Sequence, residues 1–289
     1  MKVLVLGSNG QIGNSLRDKL DQKFNDILFC SKKDIDIGNF ENTKNEIINF
    51  HPEVVINASA YTKVDKAEQE IEEARLINSL AVLNLANVCK SIGSLLIHFS
   101  TDYVFDGSSS KPYTEKSKTN PKSVYGQTKL EGEKNIISSS CDFIILRTSW
   151  VFSEYGENFL KTMIHLGQEK DELSIVSDQF GNPTYAKDIA IIVDKILKDL
   201  KFDFKSQIFN YSGDSTCSWF DFAEEIFEQA KNLNLKTPRI IKKVDSEEFI
   251  TKAKRPKYSV LDNTKILQQF RVKESNWKLG IREILSLYK

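Results

Sequence analysis

The chain is poor in the residues that most often announce a metal centre or a disulfide frame. Its four cysteines, Cys30, Cys89, Cys141 and Cys217, are scattered through 289 residues with no C-x-x-C pair. They read as reduced cytosolic thiols, which excludes a disulfide-stapled fold and a cysteine zinc site. Its three histidines, His51, His98 and His165, lack metal-ligand spacing and read as packed or surface residues. An excess of one charge is also missing. Forty basic residues balance forty acidic ones, so no global field attracts nucleic acid or an anionic membrane. No apolar run approaches the roughly 18 residues of a membrane helix. The opening "MKVLVLGSNG" breaks at Gly7 after four apolar residues, too short for a signal peptide, and no small-residue cleavage site follows. A cytoplasmic protein without nucleic-acid or membrane partners is expected.

The apolar content is 40%, enough for a sizeable core in one large or two interlocked domains. Short continuous apolar runs at 3–6, 27–29, 54–56, 95–99 and 143–146 fit strands buried on both faces. Helical repeats lie between them: Ile12, Leu16 and Leu20, then Phe40 with Ile47, then Ala67, Ile71, Ala74, Ile77 and Ala81. Alternating β and α elements predict a Rossmann-like, doubly wound parallel α/β sheet with right-handed crossovers. After about residue 150 the pattern loosens. A helix near 158–168, a strand at 173–176, a helix over 186–200, a strand at 207–211 and an amphipathic helix in "CSWFDFAEEIFEQA" are expected. No repeat or low-complexity linker separates the halves, so a smaller C-terminal lobe interwoven with the first is expected. The cofactor domain then covers 1–150, completed by about 186–212, and the substrate lobe covers 151–185 and 213–289. The stretch 236–257 carries eight basic residues against three acidic ones, either a solvated run or a grip for a diphosphate.

"VLVLGSNGQIGNSL" sets Gly7, Gly10 and Gly13 between the first strand and the first helix. A tight turn, close approach of backbone N–H groups to a pyrophosphate, and close helix–strand packing all ask for glycine here. The helix N-terminus adds partial positive charge. After the second strand, "CSKKDIDI" offers Lys32 and Lys33 before Asp34 and Asp36. Basic residues there suit a 2′-phosphate, so NADPH is expected, with NADH as a second acceptable cofactor.

"SVYGQTKLEGE" places Tyr125 and Lys129 four residues apart, on one face of a helix starting near Ser123. An ammonium beside a phenol favours the phenolate, lowering a pKa that otherwise lies near 10. "LLIHFSTDYVFDG" puts Ser100, Thr101 and Asp102 at the end of the fourth strand, where ligands of open α/β sheets bind. A hydroxyl there can hold a carbonyl oxygen beside the tyrosine.

The G-x-x-G-x-x-G loop, the Y-x-x-x-K pair and the strand-end "STD" together resemble the extended branch of the short-chain dehydrogenase/reductase superfamily. "GSNGQIG", "DIDI", "HPEVVINASAYTKVDKAE", "FSTDYVFDG", "YGQTKLEGE", "LRTSWVF", "VSDQFGNPT" and "AKRPKYSVLD" occur in order along nearly the whole chain. They resemble the successive signatures of the dTDP-4-dehydrorhamnose reductase family. That resemblance implies hydride transfer to the C4 ketone of a nucleotide sugar. It implies that Tyr125 donates the proton, Lys129 holds the nicotinamide ribose and Thr101 binds the reacting oxygen. It also puts Gly10, Gln11 and Ile12 in the pyrophosphate loop and Asp36 and Ile37 on the adenine side. Ala60, Tyr61 and Thr62 become strand-end cofactor contacts, and Asp102 and Trp150 lie at the sugar. Trp150 could stack on a deoxysugar or fill the core, and Arg255 could pair a diphosphate oxygen or lie on the surface. Some family members hold magnesium through carboxylates at positions that here are Ser15 and Lys187, so no metal is expected. A homodimer is compatible with the resemblance. A 4,6-dehydratase is disfavoured because Tyr103, not a carboxylate, follows Thr101-Asp102. Another nucleotide-sugar 4-keto reductase or epimerase of the same superfamily, or a non-catalytic regulatory subunit of reductase-like fold, are the remaining alternatives.

Overall fold

The structure, a computed structural model, describes residues 1–20, 26–199 and 206–288. In chain order the first half runs β1 (Val3–Leu6), α1 (Gln11–Leu20), β2 (Ile27–Cys30), α2 (Phe40–Phe50), β3 (Val54–Asn57), α3 (Val64–Ala67) and α4 (Ile71–Arg75). A π-helical turn (Leu76–Leu80) leads into α5 (Ala81–Ile92), β4 (Leu95–Thr101), a 3-10 turn (Asp102–Val104), α6 (Val124–Ser139) and β5 (Phe143–Thr148). The second half contains β6 (Val151–Phe152), α7 (Phe159–Glu169), β7 (Glu172–Val176), β8 (Phe180–Gly181), β9 (Thr184–Tyr185), α8 (Ala186–Asp199) and β10 (Gln207–Asn210). It ends with β11 (Cys217–Ser218), α9 (Trp219–Asn232), β12 (Ile240–Val244), α10 (Thr264–Phe270) and α11 (Trp277–Leu285).

Six strands form one parallel sheet in the order β10-β5-β4-β3-β1-β2. Its central strands are apolar on both faces because helices cover both. Val3, Val5, Ile56 and Ile97 join Leu16 and Leu20 of α1 and Ile189, Val193 and Ile196 of α8. Leu4, Leu6, Val55 and Leu96 join Ile47 of α2 and Val82, Leu85 and Cys89 of α5. The chain leaves β1 toward β2 on one side and returns to β3 on the other. That reversal opens a crevice at the carboxyl ends of β1 and β3, the usual ligand position in such sheets.

A second lobe packs α7, α9 and α11 around Phe222, with Phe152, Leu160, Ile226 and Ile281 in its core. Short pairs β6–β9, β7–β12 and β8–β11 cover it. The chain passes from the first core into this lobe after β5 and returns for α8 and β10. Among the described residues no helix is long and apolar enough to cross a membrane.

Three elements differ from the sequence expectation. The repeat at 67–81 is not one helix: it breaks after α3 and winds through a π-turn before α5. The π-turn carries Asn78, whose buried side chain bonds the backbone of Tyr61 and the hydroxyl of Thr128. "IIKKV" inside the basic stretch is a strand, β12, lying parallel to β7. α10, within the stretch expected in the second lobe, packs on β10 of the first core, with Phe270 edge-on to Phe209 at 5.4 Å between ring centroids. The expected end of the long helix at residue 200 lies outside the described residues.

Candidate active site

The glycine loop joins β1 to α1 at the crevice. Gly7 has φ +77°, and a Cβ there would fall 2.6 Å from the Ser59 nitrogen. Gly13, one turn into α1, approaches closer still: its Cβ would sit 2.3 Å from the Gly7 carbonyl oxygen. The Gly10 amide donates to that same carbonyl at 3.1 Å, closing the turn. The first helical N–H groups, from Gln11 and Ile12, lie at the N-terminus of a ten-residue helix, where an anion is stabilised. The Gln11 side chain turns to the second lobe, its Oε1 accepting from Ser153 Oγ at 3.0 Å and Asn158 Nδ2 at 2.9 Å. Gln11 thus offers a ligand its backbone while its side chain joins the lobes. Gly13→Ala is expected to push the loop open. NADPH affinity should fall at least roughly tenfold, and stability by about 1–3 kcal/mol from overpacking. Titration of protein fluorescence with NADPH and urea unfolding check the two effects.

The neighbouring strand ends supply the other expected cofactor positions. At β2, Lys32 is exposed, and its Nζ lies 3.7 Å from Asp36 Oδ2. Asp36 Oδ1 accepts from the Gly38 amide at 3.0 Å, and Ile37 is buried beneath. At β3, residues Ala60, Tyr61 and Thr62 form the connection to α3. The Tyr61 amide donates to Asn78 Oδ1 at 2.9 Å and its hydroxyl donates to Glu70. Burial, then that carboxylate, push the Tyr61 phenol up to about 12. Asn78 has no sequence signature of its own; only the π-turn brings it to this loop.

Thr101, Asp102, Tyr125 and Lys129 converge at the end of β4. Thr101 Oγ1 caps the 3-10 turn, accepting from the Tyr103 amide at 3.2 Å and donating to Asp102 Oδ1 at 3.0 Å. Burial raises the Asp102 carboxyl to about 6, opposed by the hydroxyls of Ser259 and Thr101. α6 begins at the Ser123 cap, whose Oγ accepts from the Gly126 amide at 3.2 Å. The cap puts Tyr125 in the first turn, edge-on to Tyr103 at 5.5 Å. Burial raises the pKa of the Tyr125 phenol, opposed by the nearby Thr101 hydroxyl. The sequence spacing predicts the opposite, a phenol lowered by Lys129. The reason lies in where the amine points. Lys129 is buried and its Nζ turns to β4, donating to the Phe99 carbonyl at 2.7 Å and lying 3.2 Å from His98 Nε2. Burial lowers Lys129 to about 8, with Glu133 opposing.

Trp150 and Arg255 are more engaged than expected. Trp150 adopts φ +47° and stacks on Trp219 of the second lobe, 3.5 Å between centroids and 4° between planes. Gly181 packs on the same indole, where a Cβ would fall 2.5 Å from Cε2. One ring face is therefore spent on Trp219, which narrows the surface expected to stack on a sugar. Trp219 does not stand out in the sequence because it reads as one apolar residue of an amphipathic helix. Arg255 Nη2 donates to Asp65 Oδ2 at 2.9 Å and Nη1 lies 3.5 Å from the Tyr103 hydroxyl. The Ala253 amide donates to Asp65 Oδ1 at 3.0 Å. Arg255 is thus neither free at the surface nor unpaired; it ties the 251–257 loop to α3 beside Tyr103. Ser15 and Lys187, the two positions weighed for a metal, are otherwise committed: Ser15 Oγ donates to the Gln11 carbonyl and Lys187 pairs with Glu283 at 2.6 Å.

A parallel sheet with a glycine turn at its switch point, and a Thr-Tyr-Lys set beside that turn, define an oxidoreductase of the extended short-chain dehydrogenase/reductase class. The RmlD substrate binding domain family matches residues 1–289. A dTDP-4-dehydrorhamnose reductase of Aggregatibacter actinomycetemcomitans is 39% identical over 287 residues, 98% of either chain. A dTDP-4-dehydrorhamnose reductase of Clostridium acetobutylicum superposes with TM-score 0.92 at 38% identity, covering 100% of this chain and 99% of its own. One from Bacillus anthracis, solved in complex with NADP, gives TM-score 0.91 at 35% identity over 99% and 100%. The chain belongs to the dTDP-4-dehydrorhamnose reductase family.

Proposed function

We propose that the protein reduces the C4 ketone of dTDP-4-dehydro-L-rhamnose to dTDP-L-rhamnose with NADPH, NADH being a second acceptable donor. One observation carries this reading: Thr101, Tyr125 and Lys129 meet at the end of β4, in the sheet whose switch point carries the glycine turn. The backbone of Gly10, Gln11 and Ile12 would hold the pyrophosphate, in a turn that the tight Gly7–Gly13 approach closes. Ala60, Tyr61 and Thr62 would line the middle of the cofactor, Asp36 and Ile37 its adenine side. When bound, the reduced nicotinamide supplies a hydride.

The protein's own residues supply the rest. Thr101 holds the ketone oxygen. Tyr125 gives its proton to that oxygen as negative charge develops there. Burial keeps the phenol protonated at rest, the form that a donor needs. Lys129, one turn later, would hold the nicotinamide ribose. Asp102 and the ring edge of Trp150 would face the sugar, and Arg255 would meet the diphosphate from the 251–257 loop. Residues 1–150 with about 186–212 form the cofactor domain in this reading, joined by α10, and the rest of 151–185 and 213–289 forms the substrate lobe. Four free, buried cysteines suit the cytoplasm. Exposed Leu80 of the π-turn, in a hollow shared with Arg75 and Glu131, suits a homodimer face there. Purified protein, NADPH and the dTDP-linked 4-keto sugar test the activity. Cofactor absorbance should fall with formation of the 6-deoxy-sugar alcohol, and no turnover of that ketone would reject the reading.

The 2′-phosphate assignment has its own test. Lys32→Ala with Lys33→Ala should weaken NADPH roughly tenfold, about the worth of one charge-assisted hydrogen bond. NADH should bind nearly as before. Dissociation constants for both nucleotides decide it, and an unchanged ratio would remove Lys32 from the site.

A further inference from the structure

His98 is wholly buried under α6 and belongs to none of the expected site residues. Its two ring nitrogens have different neighbours. Nδ1 lies 3.1 Å from Asn57 Nδ2, and Nε2 lies 3.2 Å from Lys129 Nζ. The orientation of the Asn57 amide is not arbitrary. Its Oδ1 accepts from the backbone N–H of Ser59 at 3.0 Å, and a backbone N–H can only donate. Asn57 Nδ2 must therefore be the donor to His98 Nδ1. A neutral imidazole carries one proton, and burial holds His98 neutral by keeping its pKa well below the ordinary value. The remaining proton must sit on Nε2, pointing at Lys129.

An N–H aimed at an ammonium is repulsive, whereas an N–H aimed at an amine is a hydrogen bond. The amine form satisfies every group: Nζ accepts from His98 Nε2–H and donates to the Phe99 carbonyl. The ammonium form is satisfied only if the imidazole tautomer switches and the Asn57 amide flips, which costs the Ser59 hydrogen bond. We propose that His98, locked in its Nε2–H tautomer by Asn57, is a positioning residue that lowers the proton affinity of Lys129. Resting on the reductase reading, this makes Lys129 a group that gives and regains its proton near neutral pH.

Burial lowers Lys129 in its own right, and the N–H of His98 adds to that effect, whereas the other groups around the amine do not. Tyr125 lies one turn earlier on α6 and is neutral at rest. Glu133, one turn later, favours the ammonium, but Arg147 of β5 matches its charge with bonds of 2.9 and 2.7 Å. Asn78, packed against α6 from the π-turn, is polar and uncharged. Asp102 acts on Tyr125, where it favours the phenol form. Ser59 also belongs to the turn that Gly7 abuts, so the tautomer lock is tied to the cofactor loop itself.

The tautomer can be read without any activity. In protein labelled with ¹⁵N-histidine, one of three histidine patterns, identified by its loss in His98→Gln, should show Nδ1 as acceptor and Nε2 protonated at pH 7. The Nδ1–H tautomer, or a charged His98, would overturn the proposal whatever the substrate proves to be. The second arm is the pH profile of turnover. In the native enzyme the alkaline limb should fall near pH 8, where Lys129 loses its charge. In His98→Gln an amide oxygen can face Nζ, and in Asn57→Asp the new carboxylate draws the imidazole proton to Nδ1. Either should move that limb up by about one pH unit, a tenfold gain in proton affinity. A uniform loss of turnover in both variants, with the limb unmoved, would reduce His98 to packing and overturn the proposal.

Discussion

Tyr125→Phe is expected to cut turnover by roughly 10²–10⁴ while NADPH binding stays within about twofold of the native value. The substitution removes one oxygen and little else. The ring keeps its edge contact with Tyr103 and its place in the first turn of α6, whose cap is made by Ser123. What disappears is the proton aimed at the developing alkoxide. A loss of that size corresponds to about 3–5 kcal/mol of transition-state stabilisation. It should not reach the uncatalysed rate, because Thr101 still holds the oxygen and water can donate slowly. Steady-state turnover and nucleotide titration on the same preparation separate the two quantities. Equal losses in both would show that the ring positions cofactor instead of supplying a proton.

The parts of this site that can be read from the sequence are those written within one turn or one loop. The glycine triplet announces a close approach, and the structure finds it backbone to backbone at Gly7 and Gly13, while Gly10 has room for a Cβ. Tyr125 and Lys129 share a helix face by spacing alone. The strands of the sheet show as apolar runs because helices cover both of their faces. What stays hidden depends on which distant segments meet. Asn57, His98 and Lys129 come from β3, β4 and α6, and no spacing joins them. Trp219 reaches Trp150 only after β11 pairs with β8. The direction of the Tyr125 shift escapes the sequence because adjacency suggests an ion pair, while burial and the turn of Lys129 toward β4 decide it. β12 escapes it too, because the exposed Lys242 and Lys243 at a lobe edge disguise a strand as a charge run.

Glu133→Ala should destabilise the fold by about 3–5 kcal/mol, the range found when one partner of a buried ion pair is removed. Glu133 and Arg147 are among the most enclosed charges in the molecule, with side chains 1% and 4% exposed. Two parallel N–H···O bonds join them, and the guanidinium lies 5.2 Å from the centre of the Phe105 ring. The remaining contact of Arg147 is a long one, 3.4 Å to the Glu115 carbonyl. Without Glu133 a full positive charge stays in the core between α6 and β5, with that carbonyl and a ring face as its company. The loss therefore measures an abandoned charge more than the worth of the pair. That distinction has its own test. Removing both charges together, Glu133→Leu with Arg147→Met, should recover most of the loss, since well-packed apolar residues often replace a buried pair at little cost. Urea unfolding followed by circular dichroism measures both variants. A single substitution costing less than about 1 kcal/mol would mean that water reaches Arg147 and that the pair is not sealed.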